Sequence, residues 1–436
     1  MSLLRKIYLG FFMLFCILSF TGNAQNSVPH TLYQQFNGPF DYTIIGNTHN
    51  PSDVWTPPYP LPGSMLTSSS ATLNLTSNQT IVGAYLIWAG IGNGAGTTIS
   101  LNGLAMTPDF INNANVFPNG TTPTIYFSAV KDITSYVQSV GNANYQVSNF
   151  NLNPVQPLYY SNSMYFAGWN IIVVYTSPTL PNKQLNIYDG YRFSSIGSGY
   201  PTINFPINNL NVTNTVGAKM TMISFLGNST VFVGQSLKVN NSVLSNSINP
   251  ANHPFNNTNS FTNSTSSWQV DVDTYLINNY INIGDVSFNV TAGSLIPMLY
   301  STLITSIQSE LPDATISLDS ITGQDICQNR DLTLDYTVYN INSNDTLLAG
   351  TPVSVFVNNT TLISTVLLPS NILMGDSLNL STLVTIPTGI SSPFTLSMVV
   401  NQNATQLGVY LEKTAILTTP KRSMVTSYFH LTKIAI

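Results

Sequence analysis

Chemistry in this chain has few side chains to draw on: four histidines, two cysteines, and seventeen carboxylates, of which only Glu310 and Glu412 are glutamates. Nucleophilic catalysis needs a histidine beside a nucleophile on a strand-turn-helix elbow. None of His30, His49, His253 or His430 neighbours a Gly-x-Ser-x-Gly sequence, and no His-x-His or His-Glu-x-x-His spacing offers a metal pair. All four read as solvated surface histidines. Glycoside hydrolysis asks for two carboxylates with separated pKa values. Eight aspartates lie between Gln25 and Ser309, but scattered aspartates more commonly cap turns, and no residue is assigned a catalytic role.

Calcium is the ion the sequence suits best. Asp271-Val272-Asp273 places two carboxylates on one side of an extended segment, about 7 Å apart at the backbone. Asp313, Asp319, Asp325 and Asp331 form a second acidic group. Neither matches an EF-hand loop. For sugar stacking, the residues are Trp55 and Tyr59 in the loop Val54-Trp55-Thr56-Pro57-Pro58-Tyr59-Pro60, whereas Trp88 and Trp169 flank apolar runs and read as core. The glycine cluster Gly90-Ile91-Gly92-Asn93-Gly94-Ala95-Gly96 leads into a strand, Thr97 to Leu101, instead of a helix. No helix N-terminus waits there for a pyrophosphate, so a hairpin connection is expected.

The first 24 residues have the form of a signal peptide: Arg5 and Lys6, an apolar stretch from Ile7 to Phe20, then Gly22-Asn23-Ala24 before the cleavage point at Gln25. The apolar stretch is shorter than the ~20 residues a spanning helix needs, and no later stretch is long and apolar enough to cross a bilayer. The mature chain then carries ten basic against seventeen acidic residues, net −7, which excludes an ordinary nucleic-acid-binding surface. Only 7% of the chain is charged while 43% is hydrophobic and 11% aromatic. Packed cores are expected, with Asn, Ser and Thr providing solubility. Cys327 is the one cysteine after the leader, so no intramolecular disulfide forms, and it reads as an inert buried thiol.

The elements that must position these side chains read as strands almost throughout. The segment AGWNIIVVYTSPTLPNKQLNIYDGY, Ala167 to Tyr191, contains a β-branched and aromatic run from Ile171 to Thr176, a proline-bearing turn, and a second extended run from Gln184 to Tyr188. The first run is apolar on both sides, so both of its faces should be covered. Further strands are expected over 80–89, 98–101, 125–130, 145–149, 220–225 and 231–233. Asp132 to Val140 reads as a short helix capped by Asp132, with Asp273 to Asn279 a weaker helical candidate. A shift in charge at Gln308-Ser309-Glu310-Leu311-Pro312-Asp313 marks a linker. The expectation is all-β: a large jelly-roll-like β-sandwich over 25–311, an immunoglobulin-like sandwich over 312–412, and a poorly ordered tail over 413–436. The second sandwich should use strands at 314–318, 332–340, 351–357, 360–368, 377–385 and 394–401.

Several of these segments carry a family likeness. Ala167-Gly168-Trp169, Val173-Val174-Tyr175 and Asn186-Ile187-Tyr188-Asp189-Gly190-Tyr191 resemble the N-terminal region of Bacteroidetes adhesin-like surface proteins associated with gliding motility and type IX secretion. Phe36-Asn37-Gly38, Asp41 to Thr48, Ala84 to Gly90, Asp132-Ile133-Thr134 and Asp271 to Thr274 fit the same pattern. The later sandwich resembles a CARDB-type module. The resemblance implies a secreted, non-catalytic protein at the cell surface or in the medium, binding an extracellular glycan or protein surface; a carbohydrate-binding module is the alternative, and a polysaccharide-active enzyme a third. Such proteins usually end in a sorting domain, and nothing after Glu412 resembles one, so periplasmic residence is a further expectation.

Overall fold

The computed structural model describes residues 27–53, 65–94, 97–116, 124–152, 164–196, 199, 201–230, 233–323, 330–391 and 394–401. The leader, the loop with Trp55 and Tyr59, Cys327 and the tail lie outside them. No helix among the described residues is long and apolar enough to cross a membrane.

Two five-stranded antiparallel sheets face each other. The central sheet has the order β1 (Val28–Gly38), β11 (Lys183–Ser194), β18 (Met298–Ser309), β13 (Val212–Phe225), β16 (Val270–Leu276). The facing sheet has the order β2 (Phe40–Thr48), β10 (Ala167–Thr176), β4 (Thr80–Ile91), β8 (Thr124–Asp132), β7 (Phe110–Val116). Each is then covered again on its far side. Over the facing sheet lie β3 (Ser68–Thr72), β9 (Asn144–Ser148), β5 (Ile99–Leu101) and β6 (Leu104–Met106), together with the helix α1 (Thr134–Val140). Over the central sheet lie β12 (Thr202–Ile207), β17 (Phe288–Gly293), β14 (Ser236–Val239) and β15 (Ser242–Val243). The architecture is all-β, and the expected sandwich is thickened into four layers.

Side-chain alternation shows how the layers hold. On β13, Ile223 and Phe225 enter the core shared with the facing sheet, whereas Met220 and Met222 enter a second core with Phe205, Leu237 and Val290. On β18, Leu299 and Ile304 take the first core while Met298, Tyr300, Leu303 and Ile307 take the second. A strand wetted on one face alternates apolar and polar; one covered on both must be apolar or self-satisfied throughout. The run at Ile171–Thr176 obeys the same logic. β10 is buried from Ala167 to Val174, with Trp169 reaching outward to donate its indole N–H to Ser69 Oγ at 2.8 Å and Gly168 packed closely beneath Val270. Its successor β11 does not pair with it: the turn at 177–182 carries the chain from the facing sheet to the central one.

Most strands fall where the residue pattern puts them; four details differ. The glycine cluster after β4 leads to β5, which pairs with β6 and β9 and not with β4, so this turn is a crossing between layers, with Gly92 and Gly94 at positive φ (114° and 69°). Asp273 to Asn279 is not helical: its first four residues end β16, held in register by β13. The helix at 134–140 exists, but its N-cap is Ile133 with no side-chain cap; Asp132 Oδ1 accepts the Thr134 N–H at 2.8 Å beside it. Of the expected strand at 231–233, Val233 lies in a turn and the other two residues lie outside the described set.

Residues from Thr315 onward build a separate core from two three-stranded sheets. One has the order β19 (Thr315–Gly323), β20 (Asp331–Tyr339), β23 (Ser377–Thr385); the other has β22 (Thr361–Leu367), β21 (Pro352–Val357), β24 (Leu396–Val400). This is the A-B-E against C′-C-F arrangement of immunoglobulin-like sandwiches. The stretch expected to be a linker is tied down. Leu311 N–H donates to Asn344 Oδ1 at 2.7 Å, and Asp313 N–H to Asn340 Oδ1 at 2.9 Å.

Among the described residues, Asp41 is the largely enclosed carboxylate of the layered region that has lysine partners. Asp41 accepts from Lys219 at 2.6 Å and from Lys183 at 3.3 Å, with all three side chains largely enclosed. Burial alone would raise the Asp41 pKa, but Lys219 and Lys183 together outweigh it, and the carboxyl sits below its ordinary 3.8. Burial pushes the Lys219 ammonium down while Asp41 pulls it back up, and the 2.6 Å contact keeps the pair charged.

Two predictions follow from this packing. Trp169→Ala should cost about 3–5 kcal/mol in urea unfolding, the range for a fully buried large aromatic; a loss below about 1 kcal/mol would contradict the covered-sheet arrangement. Asp41→Asn strands two buried ammonium groups and should cost about 3–5 kcal/mol at pH 7. Because the folded pKa is depressed, the stabilisation from Asp41 is present above the unfolded value near 3.8 and lost as pH falls through the lower folded value. The gap between parent and variant in a pH series of melting curves should therefore close below about pH 4.

Candidate functional site

Asp271 and Asp273 do share one face of β16, but that face is not solvent: both side chains are fully buried. The chain from Asn246 to Ser267 folds over the outer edge of β16, with Val272 N–H donating to Thr258 O and Ser260 N–H to Val272 O, both at 2.9 Å. Asp271 Oδ1 accepts the backbone N–H of Asn257 at 2.6 Å and of Thr258 at 3.2 Å. Asp273 Oδ1 accepts Asn249 Nδ2 at 2.8 Å and Thr258 Oγ at 2.9 Å. The second oxygen of each carboxylate, Oδ2, is enclosed and meets no hydrogen-bond partner. Asp271 Oδ2 lies against the bare Cα of Gly227, where any Cβ would overlap it.

The electrostatics follow from this enclosure. Burial drives the Asp271 pKa up, against the backbone N–H groups of Thr258, Asn257 and Asn256 that favour the anion, and Asp53 adds to the rise. Burial also drives Asp273 up, with Asp271 as the next cause. The backbone around the pair is unusual. Twelve non-glycine residues among those described have positive φ, and all but Leu226 and Gln269 are asparagines, the residue that tolerates this region best. Those two exceptions are neighbours across the end of the β13–β16 ladder, where Leu226 N–H donates to Gln269 O at 3.1 Å.

A second feature adjoins the same loop. A groove of ≈ 520 Å³ runs along the outer edge of β2 and is lined by Asn47, Ser70, Asn144, Phe261, Thr262 and Ser264, among others, with no charged side chain in its walls. Asn47 Nδ2 spans it at one end, donating to Ser70 O at 2.8 Å.

The other residues singled out in the sequence have structural surroundings. His49 is buried and bonded through Nδ1 to Leu66 O at 2.9 Å. His30 packs edge-on against Phe205, and burial followed by the Arg192 charge lowers its pKa to about 3. His253 bonds through Nε2 to Asn228 O at 2.8 Å. The expectation of surface histidines fails for His30 and His49 because the layered sheets enclose positions that a single sandwich would leave wet, whereas His253 is half-buried. Asp319 binds Ser317 and Thr337, and Asp331 binds Thr385, so this second acidic group is spread along β19 and β20, with Asp325 outside the described residues. Among the described residues no three His, Cys, Asp or Glu side chains gather as a metal-binding group. Trp55 and Tyr59 also lie outside them. The residues that sequence reasoning missed are Asn249, Asn256, Thr258 and Phe261, in an Asn-rich stretch that carries no periodic signal.

The sequence matches no protein-family model, and no curated protein matches it. Its fold gives remote matches to solved β-glucuronidases. The enzyme from Ruminococcus gnavus is 9% identical over 50% of this chain and 32% of its own, TM-score 0.16. That from Bifidobacterium dentium is 7% identical over 51% and 37%, TM-score 0.18, and that from Bacteroides uniformis 8% identical over 50% and 24%, TM-score 0.16. The chain thus spans about a quarter to a third of the length of these structures.

The fit of Asp271 against Gly227 gives a direct test. Gly227→Ala should force the carboxylate from its place and cost about 1–3 kcal/mol in chemical denaturation, whereas Gly389→Ala, with open space around its Cβ and no positive φ, should be close to neutral. Equal effects at the two sites would contradict the close approach.

Proposed function

We propose that this is an exported, non-catalytic, adhesin-like protein whose layered β-sandwich presents a binding surface outside the cytoplasm. The observation that carries the reading is the use made of the carboxylates. Asp41 is spent on two lysines, Asp271 and Asp273 are sealed beneath a loop, and Asp109 pairs with Lys131 on the surface. Each has a structural task, and the open groove beside β2 is lined by neutral amides and hydroxyls together with Ile44, Ile45, Ala71 and one aromatic ring. Such a surface suits recognition better than bond breaking, since hydrolysis of a glycosidic bond needs paired carboxylates facing a cleft. The leader-like N-terminus supports export.

The same groove favours one finer reading, recognition of a neutral glycan. Hydroxyl-rich ligands are held by asparagine, serine and threonine side chains with an aromatic face beneath the sugar ring, and an uncharged wall discriminates against ionic ligands. The test is a glycan array and an extracellular-protein array probed with the purified chain, in parent and Phe261→Ala forms. The expected outcome is saturable binding without turnover, weakened about tenfold or more by the substitution, as for loss of one stacking anchor. Release of reducing sugar from any bound glycan would overturn the non-catalytic reading. Binding confined to proteins would remove the glycan reading and leave the adhesin-like one standing.

A further inference from the structure

We propose that the cluster formed by Asp271, Asp273, Thr258, Asn249 and Asn256 is a calcium-binding site that fixes the loop over the edge of β16. Asp271 Oδ2 and Asp273 Oδ2 are buried with no partner. With no cation present, burial raises both pKa values and favours the protonated acids, and no lysine or arginine among the described residues pairs with either side chain, so a bound cation is the group that would hold both as carboxylates. The neighbouring ionisable groups supply no positive charge. Asp53 is a third carboxylate whose charge bears on Asp271, while Lys219 is committed to Asp41. His253 has burial holding its pKa down, with its Nε2 facing a backbone carbonyl.

The donor set matches a hard cation. Thr258 Oγ lies 2.7 Å from Asn249 Oδ1, 2.8 Å from Asn256 Oδ1 and 2.9 Å from Asp273 Oδ1. One hydroxyl proton cannot serve three acceptors, so the cluster is richer in oxygen than in hydrogen. Counting both oxygens of each carboxylate, it offers seven oxygen atoms and no nitrogen or sulfur ligand. Calcium takes six to eight oxygens at about 2.3–2.6 Å in adaptable geometry, whereas magnesium demands a tighter octahedron and retains its waters. Both carboxylates converge on Thr258, one at its backbone N–H and the other at its hydroxyl. An ion there would join β16 to the loop and supply the charge that the unpartnered oxygens lack.

The test uses the full chain dialysed against chelator, then titrated with calcium or terbium. Terbium luminescence should rise through Tyr275, the next residue on the same face of β16. Saturating calcium should raise the melting temperature by about 5 °C or more over chelator, as for a ligand at about a hundred times its Kd. Asp273→Asn should abolish both responses. Should that variant fail to fold, Asn256→Ala, which removes one half-buried ligand, should weaken terbium binding at least several-fold while the chain stays folded. A melting curve and luminescence unmoved by millimolar calcium and terbium would overturn the proposal. So would a full response in Asp273→Asn, or an equal response to magnesium.

Discussion

Burying the central sheet between two apolar cores removes water from both of its faces, so a polar group on it that finds no partner within the protein is costly. The backbone meets this through the ladders themselves. Some side chains meet it with neutral pairs: Tyr42 with Thr221 at 2.7 Å and Ser128 with Ser301 at 2.9 Å cross between the two sheets, and Ser194 with Tyr300 at 2.8 Å joins neighbouring strands of the central one. Hydroxyl pairs serve well here because each partner can donate or accept, and burying them costs far less than burying an ion. The low charge content of the chain follows from the same constraint: with so many strands lacking a solvent face, there are few places for a charge. At Asp41, two lysines enclose the carboxylate.

The edges of the sheets obey a related rule. An open edge of backbone N–H and C=O groups invites association with other strands. At β1 the edge is met by Asn342, which accepts the Asn37 N–H at 3.0 Å and donates to Gln35 O at 3.0 Å. A side-chain amide thus imitates a neighbouring strand and at the same time ties the second sandwich to the first. At β16 the loop around Thr258 and Ser260 plays this part. The edge of β2 is treated differently, since it borders a polar groove instead of a covering segment. That contrast is why the groove is read as the recognition surface.

Strand positions were readable in the sequence because β-branched and aromatic runs are local, and a doubly apolar run such as Ile171–Val174 also announces that both its faces are covered. Sheet membership was not readable. β10 and β11 are separated by one short proline-bearing turn, yet they belong to different sheets, because a turn of that length can hop between layers as easily as reverse within one. Asp273 to Asn279 suggested a helical turn on local grounds, and pairing of Met220 through Met222 with Asp273 through Tyr275 overrode it. The period-two spacing of Asp271 and Asp273 placed them correctly on one face. Which way that face looked depended on Thr258, more than ten residues away, and on an Asn-rich loop whose fold has no local signature.

The loop from Asn256 to Ser267 joins the carboxylate cluster to the groove through its own covalent continuity. Its first residues hold Asp271 and Asp273, and its later ones, Phe261, Thr262, Ser264 and Ser267, form a wall of the groove. Between them Asn259 closes a tight bridge to Ser264, with Asn259 N–H donating to Ser264 O at 3.0 Å and Asn259 Oδ1 accepting Phe261 N–H at 2.9 Å. Phe261 itself packs against Tyr42, ring centroids 5.8 Å apart, so little slack remains between the carboxylates and the aromatic ring. The packing of the buried carboxylates and the shape of the groove are in this sense one problem, solved by one segment of chain.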